Sequence, residues 1–242
     1  MGFESDFKEL KRRVIVIALF FIVAFVFFYY YSPTVMDFIT LKGQEAGYNF
    51  VYINPAEVLV QQLKIACIGS LIVITPLVII EAALFIGPGI DTGVIGVLIP
   101  AIFACIMFCI GIAFSYFVLV PFVFGTLYDL GVNSNITAQV TIENYISLYL
   151  TLLVSLGVVF ELPLVSLGLT KFGILDATKM KKGRRVAIVI ALFVAALITP
   201  PDIFSQVVVA LPIMVLYEFS ILLCKLVDKR KEDAICDSEL QN

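Results

Sequence analysis

Histidine and tryptophan are both absent from the 242 residues, and charged residues make up only 14%. Without histidine the chain lacks the commonest acid and base at neutral pH, which removes histidine-containing metal sites and catalytic triads. Neither GxSxG nor HExxH occurs, so the residues of serine-hydrolase and metalloprotease chemistry are missing too. The sequence is expected to be no enzyme and to need no cofactor. The five cysteines give no disulfide framework: Cys67, Cys105, Cys109 and Cys224 fall in apolar stretches, Cys236 falls in the tail, and there is no CxxC. They read as packing thiols. Basic residues are few and segregated, the net charge is −3, and nothing points to nucleic acid.

What is abundant is apolar surface, at 61% of residues. Soluble domains carry about a quarter of charged residues, so this is an integral membrane protein. Apolar runs place an all-α domain of six transmembrane helices at about 14–31, 58–87, 94–120, 144–170, 186–198 and 203–224, within a single membrane domain over 14–226. Residues 1–13 form an amphipathic leading segment, and 227–242 a charged, disordered tail. Pro76, Pro100, Pro163 and Pro212 kink the helices that hold them, and Pro121 ends the third. The fifth and sixth helices are expected to be short, and the fifth has thirteen residues before Thr199-Pro200-Pro201-Asp202. At 1.5 Å per residue it reaches about 20 Å, short of a hydrocarbon core near 30 Å, so the membrane thins there or the turn lies below its surface.

Lysine and arginine set the orientation. Four precede the first helix, six (Lys171, Lys179, Lys181, Lys182, Arg184, Arg185) lie between the fourth and fifth, and four follow the sixth. Lys42 alone lies in the loops on the other side, with Lys64 inside the start of the second helix. The positive-inside rule then puts both termini in the cytoplasm, which demands an even number of spans.

Within the fourth span, Glu161 is the only charge between Tyr145 and Thr170. A charge at that depth costs about 2.5–3.5 kcal/mol on insertion scales, so it needs a partner, a wet cavity or a task. Pro163 donates no hydrogen bond to Val159, so the helix bends beside the carboxylate. Gly157 and Gly168 share the face of Glu161 and allow a close approach. Glu81 and Glu218 lie at similar depth on the second and sixth helices. If the three faces meet, the acids form a concave polar face toward the cytoplasm.

In order along the chain, these landmarks resemble the TatC family, the polytopic receptor subunit of the twin-arginine protein translocase. FKELKRR, with Glu9 and the basic triplet, is similar to the family's cytoplasmic N-terminal signature. Asn54-Pro55-Ala56-Glu57 with Lys64 resembles the lead into the second helix, and Phe85-Ile86-Gly87-Pro88-Gly89 the first cytoplasmic loop. Gly111, Phe114 and Tyr116 resemble the third helix. Phe160-Glu161-Leu162-Pro163 and Thr199-Pro200-Pro201-Asp202, with Ser205-Gln206, Leu211-Pro212 and Tyr217-Glu218, resemble its two most distinctive blocks.

The resemblance implies a receptor in the bacterial cytoplasmic membrane that exports folded proteins with the proton-motive force. It implies TatA-type single-span partners, TatB-type ones as a second kind, membrane lipid, and a homo-oligomer within a larger complex. By the same resemblance, Glu9 with Asp91 and Arg12 would receive the paired arginines of signal peptides. Glu161, Glu81 and Glu218 would supply an intramembrane polar site, while Pro88, Pro200, Pro201 and Asp202 shape functional loops. The family's glutamate at the start of the third helix is Val94 here, which is why Asp91 is taken as its substitute. A glutamine usual in the second helix is Glu81.

Plainer readings exist for each residue. Glu9 makes a solvated helix-surface pair worth a few tenths of a kcal/mol. Asp202 caps the sixth helix, Glu218 pairs with Lys225, and the basic loop is a topology determinant near anionic lipid. The rival function is a proton-coupled small-solute transporter, whose ingredients include acids at bilayer depth. An internal repeat and a glycine-flanked broken helix, which such transporters have, are both missing.

Overall fold

The computed structural model describes residues 3–86, 94–132, 139–199 and 202–240. Nine helices are seen among them: α1 (Phe3–Glu45), α2 (Ala56–Ile86), α3 (Val94–Phe114), α4 (Val120–Val132), α5 (Ile142–Val159), α6 (Leu162–Lys171), α7 (Ala177–Lys182), α8 (Arg184–Ile198) and α9 (Ile203–Leu240). A π-helical turn, Ser115–Leu119, joins α3 to α4. By length and composition, five segments among the described residues are able to cross a membrane: Phe7–Glu45, Ala56–Phe85, Gly96–Gly131, Ile142–Lys171 and Ile203–Leu226. The fifth expected helix appears as α8, whose 15 residues are too few to qualify. Among the described residues the fold is all-α but for two three-residue strands.

Helices run further than the apolar runs suggested. The leading segment is continuous with α1, which carries on past Tyr31 through Pro33 to Glu45. Pro33 leaves the Tyr29 carbonyl without a backbone donor, and the buried Ser32 hydroxyl donates to that oxygen at 2.8 Å. The third helix does not stop at Pro121. The π turn passes the chain into α4, with proline in its first turn, where a missing N–H costs little. The tail beyond Asp228, expected to lack order, is helical to Leu240.

The α2 start follows from Asn54-Pro55-Ala56-Glu57. The Asn54 side chain accepts from the Ala56 N–H at 3.0 Å, and Glu57 reaches back to the Asn54 N–H at 3.0 Å. That reciprocal pair satisfies donors the first turn leaves free.

Away from the basic loop, β1 (Asn49–Val51) and β2 (Gln139–Thr141) pair in parallel, Phe50 opposite Val140. They tie the α1–α2 connection to the start of α5. Tyr48, Phe50, Phe124, Tyr128 and Tyr145 pack over this joint, with Phe124 and Tyr145 ring centroids 4.3 Å apart. The Tyr48 hydroxyl donates to the Phe124 carbonyl at 2.6 Å, and burial pushes its pKa up to about 12, keeping it a donor. Gly47 stands at φ +95°, and a Cβ there would come within 2.5 Å of the Tyr128 hydroxyl, so the turn requires glycine.

The main core holds Ile65, Leu119, Val123, Ile146, Leu152, Leu156 and Val209, contributed by α2, the π turn, α4, α5 and α9. A second cluster of Ala177, Met180, Ile221 and Cys224 fixes α7 on α9. The Tyr217 hydroxyl reinforces it by donating to the Met180 carbonyl at 2.8 Å.

Candidate functional site

The bend read from Pro163 is a two-residue turn whose backbone stays in the right-handed helical region. Helix α5 ends at Val159, two turn residues follow, and α6 begins at Leu162 with Pro163 in its first turn. Glu161 is the second turn residue. Its N–H donates to the Val158 carbonyl at 3.1 Å and its carbonyl accepts from Val165 at 3.0 Å, so its backbone is satisfied. Its side chain is not: both carboxyl oxygens are buried and neither has a hydrogen-bond partner among the described residues.

Glu161 lines a cavity of about 440 Å³ between α2, α3 and α6. Ile79, Ala82, Pro100, Ala101, Leu164 and Gly168 are among its walls, and Lys171 is the other ionisable residue lining it among the described residues. Small residues dominate the α2 and α3 sides, and a Cβ on Gly168 would meet no atom within 4 Å. Gly157, expected to share this role, is covered instead, with Phe108 and Ile112 side-chain atoms 2.8 Å from where its Cβ would be. The arrangement suits an apolar helical segment that carries one hydrogen-bond donor, since such a segment fills the cavity and satisfies the orphaned carboxyl.

The other two carboxylates do not join Glu161, so the expected concave polar face does not form as one site. Glu218 pairs with Arg184 on α8 at 2.6 Å rather than with Lys225. Glu81 pairs with Arg13 on α1, whose guanidinium also binds Glu9, through Nη2 at 2.7 Å and Nε at 3.1 Å. Lys8, Glu9, Arg12, Arg13, Val16 and Glu81 line a separate pocket of about 580 Å³. Faces were misjudged because partners so far apart in sequence, Arg13 and Glu81 above all, leave no local trace. Arg13 was missed as a site residue, although its spacing four residues after Glu9 was a legible sign.

Asp202 caps α9 as read: its carboxylate accepts from the Ser205 N–H at 2.7 Å. The other carboxylate oxygen and the Ser205 hydroxyl are buried without partners among the described residues. The Gln206 side chain reaches α8, donating to the Leu192 carbonyl at 3.0 Å. Asp202→Ala is expected to cost about 1 kcal/mol of stability, while Asp202→Asn, which keeps a capping acceptor, stays close to the parent. Thermal unfolding in detergent checks this. Asp91, Pro88, Pro200 and Pro201 lie outside the described residues. A further polar group missed in the sequence joins α2 to α5: Lys64 donates to Ser147 at 3.0 Å and stands 3.4 Å from Glu143, beside the buried Gln61.

Comparison with known proteins bears on this geometry. A family model described as Sec-independent protein translocase protein (TatC) matches residues 6–212. The Sec-independent protein translocase protein TatC of Helicobacter pylori strain 26695 is 35% identical over 184 residues, covering 76% of this chain and 72% of its own. That of Desulforapulum autotrophicum is 31% identical over 248 residues, covering 99% and 91%. A crystal structure of the twin arginine translocase receptor TatC superposes with a TM-score of 0.81 at 28% identity, covering 91% of this chain and 98% of that one. The chain belongs to the TatC family of multi-pass membrane proteins, a Sec-independent protein translocase subunit that serves protein transport and is not an enzyme.

Proposed function

We propose that this chain is the core receptor of a twin-arginine translocase in a bacterial cytoplasmic membrane. In this reading it binds twin-arginine signal peptides on its cytoplasmic face through Glu9, Asp91 and Arg12. It assembles with TatA-type single-span subunits, and with TatB-type ones where present, to export folded proteins on the proton-motive force. It crosses the membrane six times with both termini in the cytoplasm. The short α8 makes the sixth crossing possible where the bilayer is thin.

One observation carries the reading: Glu161 stands at a turn between two helices, lines an apolar cavity, and has both carboxyl oxygens buried without a hydrogen-bond partner among the described residues. A buried acceptor left in that state asks for a donor from another molecule, and a membrane-spanning segment is what fits an apolar cavity at that depth. Carboxylates near the N-terminus supply the second half, since a guanidinium pairs with them at two points and lysine cannot copy the geometry.

The test is site-specific photocrosslinking in native membranes. Probes at positions 9, 91 and 94 are offered a twin-arginine precursor and its twin-lysine counterpart. Crosslinks to the arginine form that vanish with lysine are expected. If neither precursor crosslinks while single-span partners still reach a probe at position 161, the chain is an assembly element and the receptor role is wrong.

A further inference from the structure

Arg13 is a guanidinium already held by two carboxylates. Glu9 grips one edge through Nε and Nη2, at 3.1 and 2.7 Å, and Glu81 takes Nη1 on the other. Glu81 also offers its backbone carbonyl, 3.5 Å from the same nitrogen. Arg13 and Glu81 are sheltered, with side chains 21% and 22% exposed, whereas Glu9 is 52% exposed and open to solvent. One helix, α1, carries both Glu9 and Arg13, while Glu81 comes from α2.

Charge alone does not explain such a pocket as a receiver of cations. Lys8, Arg12 and Arg13 line it against Glu9 and Glu81, so the lining carries more positive than negative charge. A free ammonium gains little from entering. An arriving guanidinium gains the same contacts Arg13 gives up, since a planar fork bridges two carboxylates set on different edges and a point charge does not. Exchange of like for like keeps both acids paired throughout and avoids the cost of an uncompensated carboxylate.

We infer that Glu9 and Glu81 together form the guanidinium seat for one signal-peptide arginine, and that Arg13 occupies the seat until that arginine displaces it. Glu81 is thereby a specificity-determining residue, contributed by α2 to a seat whose other carboxylate stands on α1. The inference rests on the receptor reading above and names the residues of that site and its resting state.

The experiment measures binding of a fluorescent twin-arginine peptide and its twin-lysine version to the full-length chain in detergent micelles. Arg13→Gln is expected to tighten the arginine peptide about fivefold, the seat now being vacant, and Glu81→Gln to weaken it about tenfold, as loss of one charged hydrogen bond does. In the doubly substituted chain the gain from Arg13→Gln disappears. Arg13→Lys, which keeps the charge, should also tighten the arginine peptide, and it supplies the same reading if Arg13→Gln fails to insert. Tightening shared equally by the lysine peptide would mean bulk charge and overturn the seat. So would an unchanged affinity in Glu81→Gln while Glu9→Gln abolishes binding; the receptor reading would survive that result. If the parent chain itself binds both peptides alike, the receptor reading fails first.

Discussion

Replacing Glu161 by leucine is expected to stabilise the folded chain and to remove most of its transport. A carboxyl whose two oxygens are buried and unpartnered has lost its water and gained nothing within the chain. An unsatisfied buried polar group costs about 1–3 kcal/mol, so an apolar side chain of similar size at the edge of the cavity should return an amount of that order. If the carboxyl exists to receive a donor from a partner segment, the same change deletes the one acid that lines the cavity among the described residues, and export should fall at least tenfold, about 1.4 kcal/mol of lost interaction. Gain of stability with loss of activity is the pattern expected of a group kept for function. Thermal unfolding in detergent gives the first readout, and export of a folded twin-arginine reporter at matched membrane levels gives the second. A lower melting temperature would mean that the folded chain itself uses the carboxyl. Normal export would remove Glu161 from the working site.

The sequence disclosed the parts of this site that follow from local rules. Pro163 breaks its helix because a missing N–H and a crowded turn act on the residues beside it, and the turn at Phe160 and Glu161 is the result. Asp202 caps α9 for an equally local reason. Counting residues was enough to find that α8 is short. Rules of the same kind failed where a compensating group or a change of helix type altered their outcome. Pro33 leaves α1 unbroken, aided by the hydroxyl of Ser32, and Pro121 falls in the opening turn of α4 after a π turn that no apolar pattern announced. The strands β1 and β2 are three residues each and pair across a long stretch of chain, too short to carry a period of two. The three glutamates shared a depth but not a face, because the side each presents is decided by helix packing. Arg13 and Arg184 then claimed two of them and left Glu161 alone.

Valine at Gly111 and valine at Gly168 should separate what holds the site from what fills it. A Cβ at Gly111 would stand 2.9 Å from the Leu156 carbonyl oxygen and 2.9 Å from the Phe160 Cβ. The first of these is backbone and cannot swing aside, so α3 and α5 must move apart. Overpacking of this kind costs about 1–3 kcal/mol, and in a membrane close approach of helices at small residues is itself a main source of association. The tilted contact of the Phe114 and Phe160 rings, with centroids 5.9 Å apart, would be strained as well. Because Glu161 follows Phe160 directly, its carboxyl would shift with the turn, and export should fall together with the melting temperature. Gly168 meets no such wall, since its Cβ would point into open space beside the cavity. Gly168→Val should therefore leave the melting temperature close to that of the parent yet reduce export several-fold by occupying room a partner segment needs. Melting and reporter export on the same two variants decide the matter. If Gly168→Val transports normally, the cavity is not where the partner lies, and Glu161 must meet its donor by another approach.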